Sequence, residues 1–484
     1  MMNCVLKNTV LAAFAASVVF ADSGRPELHP NVIFILADDT GIGDIGCFGQ
    51  KVIPTPNIDR LANEGMRFRN FYSGANVCGP SRCSLLTGRH SGRSSIRGNK
   101  WFPGLGVATL SDDDVTIPEA LAGSGYMTGM CGRWHLGGEK SKHTPYHRGF
   151  KYHFGKLSSL HPNKFGVFID PLWDEDGRHI PQEQYAKLGV EPMYENGNYY
   201  NLTSQELAAR PMNMDEMVTD HAVRFIDNNK DNPFFLYVAY SLVHDPMEMH
   251  RRMAMKDGTW PDKEQAFASM LRQLDLLVGR VVVAVDRAGL AENTLIIFTS
   301  DNGPHMEGGH RADFFDSNGK YKGYKRDLYE GGIRMPTIMR WKGTVPAGSE
   351  TDHQSAFWDV QATICDIAGV LPPKDTDGIS FLPTLQGKDQ PEHEYLYWES
   401  SEKSHMGIDK GYKRAVRRGE WKCIQFFLPE RVELYNLKDD FAEQNNLAET
   451  HPEMVRDLLK KMDEAHKCNE RFLLPIDRGF QGEK

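Results

Sequence analysis

Positive charge is in short supply in this chain of 484 residues, where 56 Lys and Arg face 65 Asp and Glu and the formal net charge is -9 at pH 7. A protein that binds nucleic acid needs a basic face to neutralise phosphates, so this balance argues against DNA or RNA as a partner. The overall field of the protein also gives no help to an anionic ligand. Any anion must therefore be held by a local cluster of cations or by a metal ion.

Cysteine is also scarce, with eight residues at wide, irregular spacing and no pair in a C-x-x-C arrangement. This pattern argues against a zinc site and is unlike a disulfide scaffold. If Cys4 is removed with an N-terminal leader, the remaining cysteines are odd in number, and at least one stays unpaired. A cysteine in this chain therefore needs another explanation, either structural or chemical.

A long apolar run is missing as well. The apolar stretch from Val10 to Phe20 follows Lys7 and is too short to span a bilayer. Together with Val19 and Ala21, which fit a small-residue cleavage frame, it predicts a secretory signal peptide over residues 1–21, cleaved after Ala21, with a retained anchor or a buried helix as the alternative. No other segment is apolar enough to cross a membrane. We therefore predict a protein that is exported to the periplasm or the extracellular space and is not transmembrane.

Short apolar runs rich in β-branched residues alternate with segments of helical periodicity. Strands are predicted over residues 31–37, 126–130, 234–240 and 294–299. Helices are predicted over residues 57–64, 118–122 and 262–288. The alternation predicts an α/β fold with a large, mostly parallel central sheet flanked by helices.

The sequence pattern changes after Pro373. Turn-rich sequence there is followed by short strand-like segments and a last predicted helix over residues 452–466. We predict a main α/β domain over residues 28–373, a smaller C-terminal α+β subdomain over 374–475 and a tail over 476–484.

Polar residues able to do chemistry cluster just after the predicted strands. They are Asp38, Asp39, His135, His244, Asp301 and Asn302. Each alone is typical of a turn former, a helix cap or a structural histidine. In an open α/β sheet, however, the carboxyl ends of the strands are where ligands bind. Several such residues at one edge therefore predict a functional site there.

The stretch CGPSRCSLLTGR, residues 78–89, places a cysteine where a helix begins and an arginine one turn later. This frame resembles the signature of the type I sulfatases of the alkaline phosphatase superfamily. Other blocks match that family in order: NVIFILADDTGIGDIG, GRWHLG, TSDNG, GYKRDLYEGGIRMP and the C-terminal ELYNLKDDFAEQNNLAETHPE. The resemblance covers nearly the whole chain after the leader, and it implies an alkaline phosphatase-like sheet.

The resemblance implies that Cys78 is not used as a thiol. In such enzymes a formylglycine-generating enzyme oxidises this cysteine to formylglycine (3-oxoalanine), whose hydrate attacks the sulfate ester, forms a sulfated enzyme and then eliminates sulfate. Asp38, Asp39, Asp301 and Asn302, with residue 78, would bind a divalent cation. Hard oxygen donors favour Ca²⁺, with Mg²⁺ as the alternative.

Further roles follow from the same resemblance. Arg82 would hold residue 78, His135 would remove a proton from it, and His244 would protonate the leaving oxygen. Arg133, Lys325 and His244 would bind the sulfate. His310, which like His305 follows the second pair of metal ligands, is a candidate for the substrate pocket, and a surface-loop role is its alternative. Two positions depart from the family pattern: Gly79 replaces a Ser, Thr or Ala, and Arg133 replaces the usual lysine before Trp-His.

The sequence therefore predicts a secreted sulfatase, a sulfuric ester hydrolase of the arylsulfatase type, acting on a sulfated small molecule or saccharide. Two alternatives stay open at this point. One is a phosphodiesterase or phosphonate ester hydrolase of the same superfamily, and the other is an inactive secreted relative that binds glycans.

Overall fold

The computed structural model describes residues 29–99, 101–102, 106–138, 141–157, 193–199, 214–247, 249–255, 259–408 and 411–478. The predicted signal peptide over residues 1–21 lies outside the described residues, as do residues 479–484 of the predicted tail. Among the helices that are described, none is both long and apolar enough to cross a membrane.

The strands, in chain order, are β1 (Asn31–Ala37), β2 (Met66–Tyr72), β3 (Trp101–Phe102), β4 (Gly106–Val107), β5 (Met127–Arg133), β6 (Tyr152–Lys156), β7 (Tyr194–Glu195), β8 (Asn198–Tyr199), β9 (Phe234–Ala239), β10 (Thr294–Ser300), β11 (Thr337–Arg340), β12 (Ser349–Ala356), β13 (Leu396–Ser400), β14 (Lys413–Arg418), β15 (Trp421–Phe427) and β16 (Glu430–Asn436). The α-helices are α1 (Pro56–Asn63), α2 (Cys78–Thr87), α3 (Ile117–Ala120), α4 (Met214–Asn228), α5 (Asp262–Arg287), α6 (Glu330–Ile333), α7 (Asp359–Ile367), α8 (Leu382–Leu385) and α9 (Pro452–Ala465).

Within the part of the chain that is described, the main sheet has ten strands in the order β12-β2-β11-β10-β1-β9-β5-β6-β7-β8. Its centre, from β10 through β1, β9 and β5 to β6, is parallel. β11 runs antiparallel to both of its neighbours, and the short β7 and β8 close the other edge in antiparallel pairs. The mostly parallel central sheet that the sequence predicts is confirmed.

The sheet is buried on both faces. In β1, Ile33 and Ile35 join a core with the helices α1, α4 and α5, whereas Val32, Phe34 and Leu36 join a second core with α2 and α7. Successive side chains of a strand point to opposite faces, so a continuous apolar run such as residues 31–37 is what a strand between two helical layers requires.

A smaller antiparallel sheet, β13-β14-β15-β16, follows in the chain, and α9 packs on one of its faces. The predicted strand-like stretch over residues 413–427 is a hairpin of β14 and β15 that turns at Gly419 with φ of 57°. Trp398 of β13 packs with Tyr72 of β2 and with Trp358, which follows β12, and its indole Nε1 donates to the carbonyl of Ser73 at 2.9 Å. Because the two sheets share this core, the domain boundary near residue 373 stays a prediction.

The carboxyl ends of β1, β5, β9 and β10 meet at one edge of the main sheet, where the chain leaves each strand in an irregular turn. Helix α2 begins at this same edge, since Arg82 in its second turn contacts the residues after β1 and β10. The functional residues predicted from the strand ends are thus brought into one place by the parallel order of the strands.

Candidate active site

Three carboxylates converge after β1 and β10. One carboxylate oxygen from each of Asp38, Asp39 and Asp301 lies within 4.8 Å of the others, and all three side chains are fully buried. Asn302 joins them by donating from Nδ2 to Asp39 Oδ1 at 2.7 Å. Asp39 adopts a left-handed backbone with φ of 61°, a conformation that non-glycine residues rarely take outside functional sites.

These four residues fit a hard divalent cation. Asp38 Oδ1 and Asn302 Oδ1 are buried acceptors that have no hydrogen-bond partner among the described residues, and buried oxygens of this kind usually have an ion or a water beside them. Burial and the neighbouring Asp38 raise the pKa of Asp301 to about 7, because nearby cationic side chains do not fully offset the crowding of negative charge. The set contains only carboxylate and amide oxygens, which are the ligands of Ca²⁺ and Mg²⁺.

Cys78 is the first residue of α2 and is 1% exposed. Its Sγ accepts from Asn99 Nδ2 at 3.3 Å and from Arg133 Nη2 at 3.6 Å. Burial raises the pKa of the thiol to about 11, despite the nearby Arg133, so the thiol is protonated at neutral pH. Since the thiolate is the nucleophilic form, this environment does not suit cysteine chemistry.

Arg82 holds two of the carboxylates in place. It lies one helical turn after Cys78, is fully buried, and donates from Nε to Asp301 at 2.9 Å and from Nη2 to Asp38 at 3.0 Å. Its Nη1 donates to the carbonyl of Arg133 at 2.6 Å. A single guanidinium thus joins the ends of β1, β5 and β10 to α2, because its planar fork carries several N–H donors.

Arg133 is the last residue of β5, and His135 comes two residues later. Arg133 Nη1 pairs with Asp38 while its Nη2 faces both Cys78 Sγ and His135 Nδ1, the latter at 3.4 Å. Burial and the nearby Arg133 hold the pKa of His135 well below its usual range, so the imidazole is neutral at pH 7. His135 also has a left-handed φ of 61°, which turns its ring back towards the arginine.

Lys325 and His244 both lie beside Asp39. Lys325 Nζ donates to Asp39 Oδ2 at 2.8 Å and to Glu307 Oε2 at 2.9 Å, and it lies 3.4 Å from His244 Nε2. His244 Nδ1 contacts Asp245 at 2.8 Å through the carbonyl. Burial and Lys325 lower the pKa of His244, but Asp39 and Asp38 outweigh them, and the net shift is upwards.

His310 lies one layer further back. Its ring stacks on Phe267 at 3.9 Å, its Nδ1 pairs with Glu264 at 2.6 Å, and its ring centre is 5.5 Å from that of His305. His305 is itself hydrogen-bonded to the carbonyl of Val243 at 3.1 Å and receives the backbone N–H of Glu307. A direct contact between His310 and substrate stays a prediction, and the surface-loop alternative is wrong because His310 is 2% exposed.

Sequence reasoning missed two residues that touch this site, Asn99 and Glu307. Asn99 lies in a loop after α2 without a motif around it, and Glu307 follows the TSDNG block in a glycine-rich turn. The sequence carries one indirect signal for Asn99, which is the glycine at position 79. Gly79 departs from the family pattern, and its lack of a side chain leaves the space that the Asn99 amide fills.

Two family models match this chain. The family described as "Sulfatase" matches residues 30–370. A second family, described as "N-sulphoglucosamine sulphohydrolase, C-terminal", matches residues 319–468. Together the two matches run from the first strand of the main sheet to beyond the last helix, α9.

Named relatives match over nearly their full length. An N-acetylgalactosamine-6-O-sulfatase of Bacteroides thetaiotaomicron is 30% identical over 496 residues, covering 91% of this chain and 94% of the relative. An arylsulfatase G of Rattus norvegicus is 31% identical over 485 residues, covering 92% and 88%. The crystal structure of Ps i-CgsB in complex with k-i-k-neocarrahexaose superposes with a TM-score of 0.75 at 28% identity, covering 90% of this chain and 92% of that one.

Proposed function

The chain belongs to the sulfatase family and hydrolyses sulfate esters, and from that premise we propose that it acts on sulfated carbohydrates through a formylglycine made from Cys78. The convergence of Cys78 with Asp38, Asp39 and Asp301 at one edge of the sheet carries this proposal. A protonated, buried thiol is a poor nucleophile, whereas an oxygen at the same position would face two cationic side chains and a cation site.

A carbohydrate substrate is supported by two of the similar proteins. One relative is named for a sulfated sugar, and one similar structure holds a carbohydrate. The sulfatase names of the relatives also favour a sulfate ester over a phosphate diester, the first alternative raised by the sequence. The complete set of acid, base and cationic residues described above favours an enzyme over a binding protein.

The cation would be held by Asp38, Asp39, Asp301 and Asn302, and we propose Ca²⁺ with Mg²⁺ as the alternative. When bound, it would offset negative charge on the ester and on the attacking oxygen. Formylglycine in its hydrated form would supply residue 78 with an oxygen nucleophile in place of the thiol. The remaining chemistry falls to side chains of the chain itself.

Arg133 and Lys325 are proposed to bind the sulfate oxygens. Arg133 reaches from Asp38 to the γ-position of residue 78, and Lys325 lies beside Asp39. Both are buried and charged, so each acts at low local dielectric, where one such donor is worth about 2.7–4 kcal/mol of barrier. Arg82 donates to both Asp38 and Asp301 and so holds the two carboxylates in fixed positions.

The two histidines differ in pKa in the sense that their proposed roles require. His135 is neutral at pH 7 and lies beside Arg133, so it is suited to take a proton from residue 78. His244, whose pKa is raised by Asp39 and Asp38 against the effects of burial and Lys325, is suited to donate a proton to the leaving oxygen. We propose these as the base and the acid of the reaction.

Residues 1–21 are proposed to direct export. The apolar run after Lys7 and the small residues before the cleavage position support this. N-terminal sequencing of the protein from its native host should begin at Asp22, and a mature chain that begins at Met1 would contradict the proposal.

The decisive experiment is mass spectrometry of the peptide that contains residue 78, from protein made with a formylglycine-generating enzyme. We expect the mass of formylglycine and turnover of sulfated saccharides in proportion to the converted fraction. A Cys78→Ala variant made the same way is the matched control and should be inactive. Full activity in protein with an intact thiol would contradict the mechanism, and faster turnover of phosphate diesters than of any sulfate ester would contradict the substrate class.

A further inference from the structure

We propose that Asn99 is a positioning residue whose side chain caps the N-terminus of α2 from a separate loop and holds the reactive atom of residue 78. We propose also that Gly79 leaves the space that the Asn99 side chain needs. The inference rests on the proposed function, because it assigns Asn99 a role at the residue 78 that the mechanism uses.

The Asn99 amide makes two contacts with the first turn of α2. Its Oδ1 accepts from the backbone N–H of Gly79 at 3.1 Å, and its Nδ2 donates to Cys78 Sγ at 3.3 Å. The residue before the helix, Val77, has no side chain able to cap it and makes no side-chain cap bond. Asn99 therefore does from another loop what an N-cap side chain normally does, and with the same amide it reaches the γ-position of residue 78.

Gly79 and Asn99 fit together sterically. A Cβ built on Gly79 would lie 2.6 Å from Asn99 Oδ1, closer than a real contact allows, while the next neighbour, His135 Cε1, would be at an ordinary 3.7 Å. Any side chain at position 79 would thus push the Asn99 amide away from both of its partners. This accounts for glycine at a position where the family more often has Ser, Thr or Ala.

The C-terminal subdomain fixes the position of Asn99. The backbone N–H of Asn99 donates to Glu402 Oε1 at 2.8 Å, and Glu402 Oε2 receives Arg326 Nη1 at 3.1 Å. Arg326 in turn donates from Nη2 to Glu307 Oε1 at 2.6 Å, and the other oxygen of Glu307 receives Lys325. A continuous run of charged contacts thus links the loop of Asn99 to Lys325, which is proposed to bind the sulfate.

Asn99 is exposed although its partner Cys78 is buried, so the amide lies on the solvent side of residue 78. A donor in this position restricts the rotation of the residue 78 side chain. Loss of a hydrogen bond to a group that becomes charged in the reaction should lower kcat about 10- to 100-fold.

The test uses Asn99→Ala, Asn99→Asp, Gly79→Ala and the Gly79→Ala/Asn99→Ala double variant, with Asn445→Ala as a matched exposed control. The converted fraction of residue 78 is measured first by mass spectrometry, and kcat and KM are then given per converted site. We expect kcat to fall about 10- to 100-fold in Asn99→Ala with KM changed less than about threefold, and no change in Asn445→Ala.

Asn99→Asp separates the two contacts, because a carboxylate still accepts from Gly79 but cannot donate to residue 78. Its melting temperature should stay near that of the wild type while its kcat falls as in Asn99→Ala. Gly79→Ala should lower kcat to the same level, and the double variant should lose no more than either single variant.

Unfolding of the unconverted thiol form gives a readout that does not depend on activity. There Gly79→Ala should be stabilising in the Asn99→Ala background, where Ala is the better helix former, and less so when Asn99 is present. Unchanged kcat per converted site in Asn99→Ala, or additive effects of the two substitutions, would overturn the inference. A wild-type enzyme active with an intact thiol would instead overturn the proposed function, and the unfolding cycle would still decide whether Gly79 and Asn99 are coupled.

Discussion

Removal of the divalent cation by a chelator should lower the free energy of unfolding, and the structure gives the expected magnitude. Asp38 Oδ1 and Asn302 Oδ1 are buried and have no hydrogen-bond partner among the described residues. Each such buried acceptor costs about 1–3 kcal/mol when nothing replaces its lost water, so a cation that contacts both should recover about 2–6 kcal/mol. Unfolding entropy is about 2.1 cal/mol/K per residue, which for a chain of this size corresponds to a fall in melting temperature of about 2–6 °C.

The assay is thermal unfolding of chelator-treated protein, followed by titration with Ca²⁺ or Mg²⁺. At a Ca²⁺ concentration of 100 times the dissociation constant, binding should restore about 2.7 kcal/mol. Ca²⁺ should give the larger shift, because Mg²⁺ sheds its hydration shell reluctantly and the site offers side-chain oxygens only. Asn302→Ala, which removes one of the two unpartnered acceptors, should reduce the Ca²⁺-dependent shift to about half of its value, which at about 1–3 kcal/mol per acceptor corresponds to about 1–3 °C.

The Asn445→Ala variant, which alters an exposed asparagine after β16, serves as the control and should keep the full shift. An identical melting temperature before and after chelation, together with metal analysis that finds no stoichiometric cation in protein purified without chelator, would refute the reasoning. It would mean that Arg82, Arg133 and Lys325 alone balance the three carboxylates.

Four further predictions follow from the site and the core. His244→Gln should lower kcat strongly on saccharide sulfates and little on nitrophenyl sulfate, whose leaving group needs no acid; equal losses on both would contradict the acid role. The pKa of His244 is raised and that of His135 is lowered, so kcat should be constant around pH 6.5. It should fall above pH 6.5, as His244 loses its proton, and well below pH 6.5, as His135 gains one. A pH–rate profile checks both limbs. Arg133→Lys keeps the charge but cannot span Asp38 and residue 78 together, so kcat should fall about 10-fold with KM raised, and unchanged kinetics would show that charge alone matters. Burial lowers the pKa of His153 to about 3, so the stability that it contributes is complete above pH 6.5 and is lost as the pH falls towards 3; urea unfolding across this range should show a flatter slope in His153→Gln.

Much of the fold was predictable because its central strands are buried on both faces. The apolar runs at residues 31–37, 234–240 and 294–299 correspond to β1, β9 and β10, with ends that agree to within one residue. The long helix α5 was equally clear from its period. The turn inside residues 413–427 was less clear. Only one glycine, Gly419, marks the turn between β14 and β15, and the two strands have similar composition.

The site was predictable wherever a motif or a strand end marked it. Asp38, Asp39, Asp301 and Asn302 follow strands whose parallel order brings them together. The position of His310 behind His305 could not be read from the chain, because stacking on Phe267 and pairing with Glu264 involve a helix far away in sequence. Asn99 was missed for the same reason.

The amino-acid sequence by itself determined the type of fold, the family and the residues that follow each strand, because these depend on local patterns of apolar, polar and glycine residues. Only the tertiary structure decided which of those residues touch. The pairing of Arg82 with Asp38 and Asp301, the contact of Asn99 with Cys78 and the reach of Glu402 into the active site all join segments distant in the chain. Such contacts depend on the packing of helices and loops across the edge of the sheet, and no local pattern in the sequence specifies them.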